Sequence, residues 1–146
     1  MKQRLDNQRG VTLIETVVSV AIIAIIMVTI LGALLYGQKM IVFTDTKNNA
    51  AAKAQELVDE IMTQLPIITK EEDLSISGAT KVSGSFSKPT SSTDPKEQYY
   101  YMPVDIDGKT VSFGNAIGYH IYVRVYYNND ESYVDLKAFT KKGGVF

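Results

Sequence analysis

The hydrophobic and polar positions fall into three successive regimes. Residues 16–38 carry no charge and are mostly Ile, Val, Ala and Leu. As a helix, this stretch covers about 35 Å, enough to span a bilayer. Its many β-branched residues would favour a strand in water, but a lone strand in lipid leaves its backbone unpaired, so a helix is predicted. From Gln38 to Leu65 the pattern becomes amphipathic. Ala50, Ala54, Leu57, Val58, Ile61, Met62 and Leu65 repeat at i, i+3 and i+4, while Lys53, Glu56, Asp59 and Glu60 lie elsewhere on the wheel. Pro66 pushes its predecessor out of the α region and ends the helix. A single helix from Thr12 to Leu65 would measure about 80 Å. Gly32 and Gly37 weaken it locally and suit either close helix packing or a bend.

Beyond Pro66 the period shortens to that of strands. Residues 74–77 and 81–86 are weak strand candidates, and 87–98 form a polar loop holding Pro89 and Pro95. Residues 99–104 and 110–113 flank Asp105-Ile106-Asp107-Gly108-Lys109, a hairpin turn by its Asp-Gly pair. The clearest pair is 117–127 and 132–140, joined by Asn128-Asn129-Asp130-Glu131. Tyr119, Ile121, Val123, Val125 and Tyr127 share one face of the first strand; Val134, Leu136 and Ala138 share one face of the second. These faces are expected against Leu57, Ile61 and Leu65. The fold class is α+β: a long amino-terminal helix, membrane-spanning in its first half, packed on a small carboxy-terminal antiparallel sheet.

Composition narrows the chemistry. Among 146 residues, 15 Lys/Arg face 16 Asp/Glu, so no strong field grips nucleic acid. Cysteine is absent, which excludes disulfides, cysteine-ligated zinc and thiol catalysis, and a single His excludes a multi-histidine metal site within the chain. No phosphate loop or nucleophile elbow is present, so neither an enzyme nor a cofactor is expected. Lys2, Arg4 and Arg9 precede the apolar run against Asp6 alone. The positive-inside rule then keeps the amino end in the cytoplasm and the carboxy-terminal domain outside. An ordinary secretory signal has a shorter apolar core and a small-residue cleavage site, which the bulky Leu35 near Gly37 does not provide. Glu15 is the odd residue: an acid at the edge of the run, satisfied either by Arg9 or Lys2 or by a group on another molecule.

The stretch Arg9-Gly10-Val11-Thr12-Leu13-Ile14-Glu15-Thr16-Val17-Val18, before a long apolar run, resembles the amino-terminal signature of type IV pilins and pseudopilins. The resemblance covers about a fifth of the chain. It implies a leader of residues 1–10 cut after Gly10 on the cytoplasmic face, and N-methylation of the new first residue, Val11. Phe is commoner there, so Val11 is a departure. Thr12, Leu13 and Glu15 match the pattern, and Glu15 is implied in assembly more than in cleavage. The organisation is then leader 1–10, transmembrane and assembly helix 11–37, amphipathic helix 38–65 and sheet domain 66–146. The implied role is a structural filament subunit, more readily a minor one, with DNA uptake, secretion, adhesion and motility all open as uses. The implied partners are a prepilin peptidase/N-methyltransferase, other pilin or pseudopilin subunits, an inner-membrane assembly platform with its ATPase, and the bilayer before assembly. Nucleic acid stays open as a partner. The implied location is the cytoplasmic membrane, then a cell-surface or periplasmic filament. The rival reading is a monomeric, membrane-anchored extracytoplasmic binding module.

Three further groups are candidate sites. His120, Tyr122, Arg124 and Tyr126 alternate on the strand face opposite the apolar row, with Tyr133, Asp135 and Lys137 across from them. Such a face either stacks on sugars or single-stranded DNA, or is a ladder of cross-strand pairs with Arg124 near Asp135. Asp105 and Asp107 make a weak cation candidate, better read as a turn, since the closing acid of a calcium loop is missing. Asn128–Glu131 is likewise better read as a loop tip than as a cation site.

Overall fold

The computed structural model describes residues 11–91 and 94–143. One helix, α1 (Leu13–Gln64), runs through 52 residues without interruption at Gly32 or Gly37. Four strands follow: β1 (Thr80–Lys81), β2 (Glu97–Val104), β3 (Gly118–Tyr127) and β4 (Ser132–Lys141). They form one sheet in the order β1-β2-β3-β4. The chain divides into two units between Val42 and Phe43.

The first unit is the apolar part of α1. Every described residue from Val11 to Asn49 is exposed except Gly37, which is half-buried. The segment is long and apolar enough to cross a membrane.

In the second unit, Ala50, Ala54, Leu57, Val58 and Ile61 of α1, with Leu65 just beyond it, are buried against Tyr99, Tyr101, Tyr119, Ile121, Val123 and Val125 of the sheet. The expected helical stripe and strand face therefore meet. Val134, Leu136 and Ala138 pack at the margin of this core and stay half-buried, because β4 is the last strand.

The sheet is mixed rather than wholly antiparallel. β2–β3 and β3–β4 are antiparallel, whereas β1 pairs with β2 in parallel through two residues. Three expected strands are shortened or missing, and a side chain explains the first of them. Residues 74–77 are not a strand because Gln64 holds Ser75 at both its N–H and its C=O (3.2 and 2.9 Å). The helix thereby supplies the hydrogen bonds that a neighbouring strand would. Beyond Lys81 the chain turns at Gly84, which takes φ +73° and donates to Val82 C=O at 3.2 Å, and the buried Gln98 side chain then holds Ser87, accepting from its N–H at 3.1 Å and donating to its C=O at 2.8 Å. Residues 110–113 give only a single bridge, Thr110 to Val104, before a 3-10 turn at Phe113–Asn115. Pro103 has no N–H to offer on that edge, and Val111 donates to its carbonyl at 3.0 Å.

Candidate functional site

Two surfaces carry the residues singled out above, one in each unit. In the first, Thr12 sits immediately before α1. Its carbonyl accepts from the N–H groups of Glu15 (3.0 Å) and Thr16 (3.2 Å), and its hydroxyl also accepts from Glu15 N–H at 3.4 Å. Thr12 thus caps the helix, as a Thr three residues before a Glu is suited to do. Glu15 stands in the first turn, where the helix dipole favours a negative charge. Its carboxylate has no partner among the described residues. The aliphatic hydroxyls of the span are internally satisfied: Thr16 donates to Leu13 C=O (2.8 Å), Ser19 to Glu15 C=O (2.7 Å) and Thr29 to Ile26 C=O (2.7 Å). The segment therefore presents an apolar surface with one acid near its start. Gly10 and the rest of the expected leader lie outside the described residues.

A family model described as the prokaryotic N-terminal methylation motif matches residues 5–31. The chain carries the prepilin signature of type IV pilins and pseudopilins. The match brackets Gly10, Val11, Thr12, Leu13 and Glu15 together with the first part of the apolar helix. The signature implies processing by a prepilin peptidase and assembly with other pilins, and it supports a pilin-like or pseudopilin subunit. The long apolar helix and the prepilin signature together fit membrane anchoring, and α1 followed by its sheet is a pilin-like architecture. No curated protein and no solved structure matched the chain.

The second surface is the outer face of the sheet. Strand register places Tyr100, Tyr122 and Lys137 in one row, and Gln98, Arg124 and Asp135 in the next. Arg124 is fully engaged. Its Nε and Nη2 donate to the two Asp135 oxygens at 2.6 Å each, and its guanidinium lies 3.8 Å from the Tyr133 ring centroid and 4.6 Å from that of Phe86. The Asp135 hydrogen bonds push the Arg124 pKa further up. Tyr100 stacks on Tyr122 with centroids 4.6 Å apart, and Phe86 tilts against its other side at 5.0 Å. Phe86, Tyr100, Tyr122, Arg124, Asp135 and Lys137 line a cavity of about 190 Å³. His120 is exposed and its ring contacts Phe139 at 5.1 Å, whereas Tyr126 is buried. The four proposed ligand residues thus share a face but stand in different surroundings. Phe86 and Tyr100 are additions that the alternation did not single out. Tyr100 follows once the register with Tyr122 is known; Phe86 arrives from a loop and leaves no periodic signal.

The turn at Asp105 is built from its own carboxylate. One Asp105 oxygen accepts from the N–H groups of Asp107 (3.0 Å) and Lys109 (2.9 Å), and Gly108 adopts φ +75°. That oxygen serves the turn. Among the described residues, no cluster of three acids or histidines gathers there or elsewhere. At the Asn128–Glu131 turn, Asn128, Asn129 and Asp130 all take positive φ, the left-handed region that Asn and Asp tolerate best.

Proposed function

We propose that this chain is a structural subunit of a type IV pilus-like filament. It is cut after Gly10, methylated at Val11, and built in through residues 11–37. The observation that carries this reading is an apolar helical segment, residues 13–31, exposed at every residue and bearing one acid in its first turn, inside the matched motif. Before assembly, the bilayer covers that surface, with the amino end in the cytoplasm. After assembly, the helices of neighbouring subunits cover it and the sheet domains face outward.

Glu15 sets the register. Cleavage would expose an α-amine at Val11, with an ordinary pKa of about 8 and so largely cationic. A carboxylate and an ammonium within an apolar bundle are each costly alone, and pairing offsets the cost only when both are present. The amine of one subunit and Glu15 of the next thus select a single axial offset, as lone polar groups do in coiled coils. An assembly platform and its ATPase supply the work of extrusion, since no phosphate loop occurs in this sequence.

Mass spectrometry of the mature chain tests the first step: residues 1–10 should be gone and Val11 should carry an added methyl group. Finding the leader intact in its native host overturns the reading. Glu15→Ala should be processed normally yet enter sheared filaments poorly. Wild-type levels of the variant in those filaments would remove Glu15 from the mechanism.

A further inference from the structure

The sheet has two unlike edges. At one, β1 is two residues long and the flank of β2 beyond it meets Pro103, which blunts it. At the other, β4 runs for ten residues, all in register with β3, without a bulge or a proline. Among the described residues nothing pairs with its outer side. Edge strands of this length are ordinarily protected by a proline, a bulge, an inward-pointing charge or a row of charges such as lysines along the edge. β4 has no proline, bulge or inward charge, since its inner row is Val134, Leu136, Ala138 and Thr140, and its outward lysines, Lys137 and Lys141, are matched by acids of the same segment, Asp135 and Glu131. Val134, Leu136 and Ala138 remain half-buried, so apolar surface is left at the margin.

We infer that β4 is a self-recognition edge, which pairs antiparallel with β4 of a second copy of this chain about a two-fold axis at Leu136. Charge fixes both the occupant and the register. Centred on Leu136, Asp135 of each copy lies opposite Lys137 of the other, and Glu131, just before the strand, lies opposite Lys141. On the same outer face, the exposed Tyr133 meets the exposed Phe139. On the inner face, Val134 meets Ala138 and Leu136 meets its own copy. Moving the axis one residue to Asp135 or Lys137 sets two like charges face to face. Placing it between residues swaps the inner and outer rows. Asp135 can accept from a second donor while bound to Arg124, because a carboxylate has about four acceptor positions.

The two-fold is normal to the sheet and reverses the direction of the α1 segment packed on each copy. Subunits whose helices run side by side in one direction cannot make this contact. The pairing therefore joins copies from separate bundles, and many weak edges on two filaments would act together.

The test uses the full chain in detergent micelles and relies on its lack of cysteine. Directly opposed residues of an antiparallel pair have Cα atoms about 4.5–5.5 Å apart, within disulfide range. Leu136→Cys should oxidise to a dimer several-fold faster than Asp107→Cys at the remote turn. A mixture of Tyr133→Cys and Phe139→Cys chains should give the mixed dimer in preference to either homodimer. This pair is exposed and serves if the Leu136 variant folds poorly. Glu131→Lys should lower the yield, and adding Lys141→Glu should restore it. Cross-linking of the Leu136 variant at the Asp107 rate, or homodimers of Tyr133→Cys matching the mixed product, would overturn the inference.

Discussion

Arg124 shows how one side chain can organise a sheet face. It is held between the Phe86 and Tyr133 rings and forked onto Asp135. Partly exposed ion pairs contribute little alone, about 0–1 kcal/mol. A guanidinium on aromatic rings adds about 0.5–1 kcal/mol each. Arg124→Ala should therefore destabilise the second unit by about 1–3 kcal/mol, read by denaturant unfolding. Arg124→Lys keeps the charge but loses the planar fork, and should retain less than half of that contribution. If the lysine variant matches wild type, the fork is not what stabilises this face. Gly118 is the other position with a sharp requirement. A Cβ there would lie 2.5 Å from Phe139 Cζ and 3.0 Å from the Thr140 carbonyl oxygen. Gly118→Ala should cost about 1–3 kcal/mol by overpacking. Removing the ring with Phe139→Ala should make the double variant less unstable than the two single losses added together.

α1 is one helix made for two environments. Its residues 50–61 bury a stripe at helical spacing, which folding of the second unit rewards. Residues 13–36 are all exposed and follow the logic of lipid or of like helices. Gly32 lies in that segment and Gly37 just past it, and an added Cβ meets nothing within 4 Å at either. Gly32→Ala should therefore leave the isolated subunit folded, with helicity unchanged or slightly raised, because Ala favours a helix over Gly by up to about 1 kcal/mol. Its effect should appear only in filament yield, if neighbouring helices approach closely there. Unchanged filament yield would leave these glycines without a packing role. Long-period signals such as this helix, and the strict alternation of β3 and β4, were legible in the sequence because burial imposes the period. Residues 74–77 were not, since Ser75 is held by the Gln64 side chain rather than by a strand, nor was the break beyond Lys81, where Gly84 takes a positive φ. Nor was the parallel β1, because two residues carry no period. The row of Tyr122 and Arg124 was legible, and so was the Arg124–Asp135 pair across the hairpin, but the packing of Phe86 against them depends on a loop path that leaves no period.

Across the second unit, tyrosines knit the core and make it sensitive to base. Burial raises the pKa of Tyr99, Tyr100, Tyr101 and Tyr119 above the usual value of about 10. At Tyr101 the effect is strongest, since its hydrogen bond to Glu71 and the charge of that carboxylate add to the burial. A group whose folded pKa is raised contributes stability that is complete below its unfolded pKa and is lost as pH climbs beyond it. The unit should therefore be insensitive to base up to about pH 10 and then unfold steeply. In a spectrophotometric titration, part of the tyrosinate absorbance should rise only with loss of near-ultraviolet dichroism, later than in urea-unfolded chain. Glu71 contributes on the opposite flank. The Lys81 ion pair and then the Tyr101 hydroxyl hold its carboxyl below the usual range, so its stabilisation is present at neutral pH and lost as pH falls through that lowered value. Tyr101→Phe should soften both limbs, shallower in base for want of one buried phenol and shifted in acid because Glu71 loses a donor. Superimposable titration curves for folded and unfolded chain would show that these phenols are not held by the core.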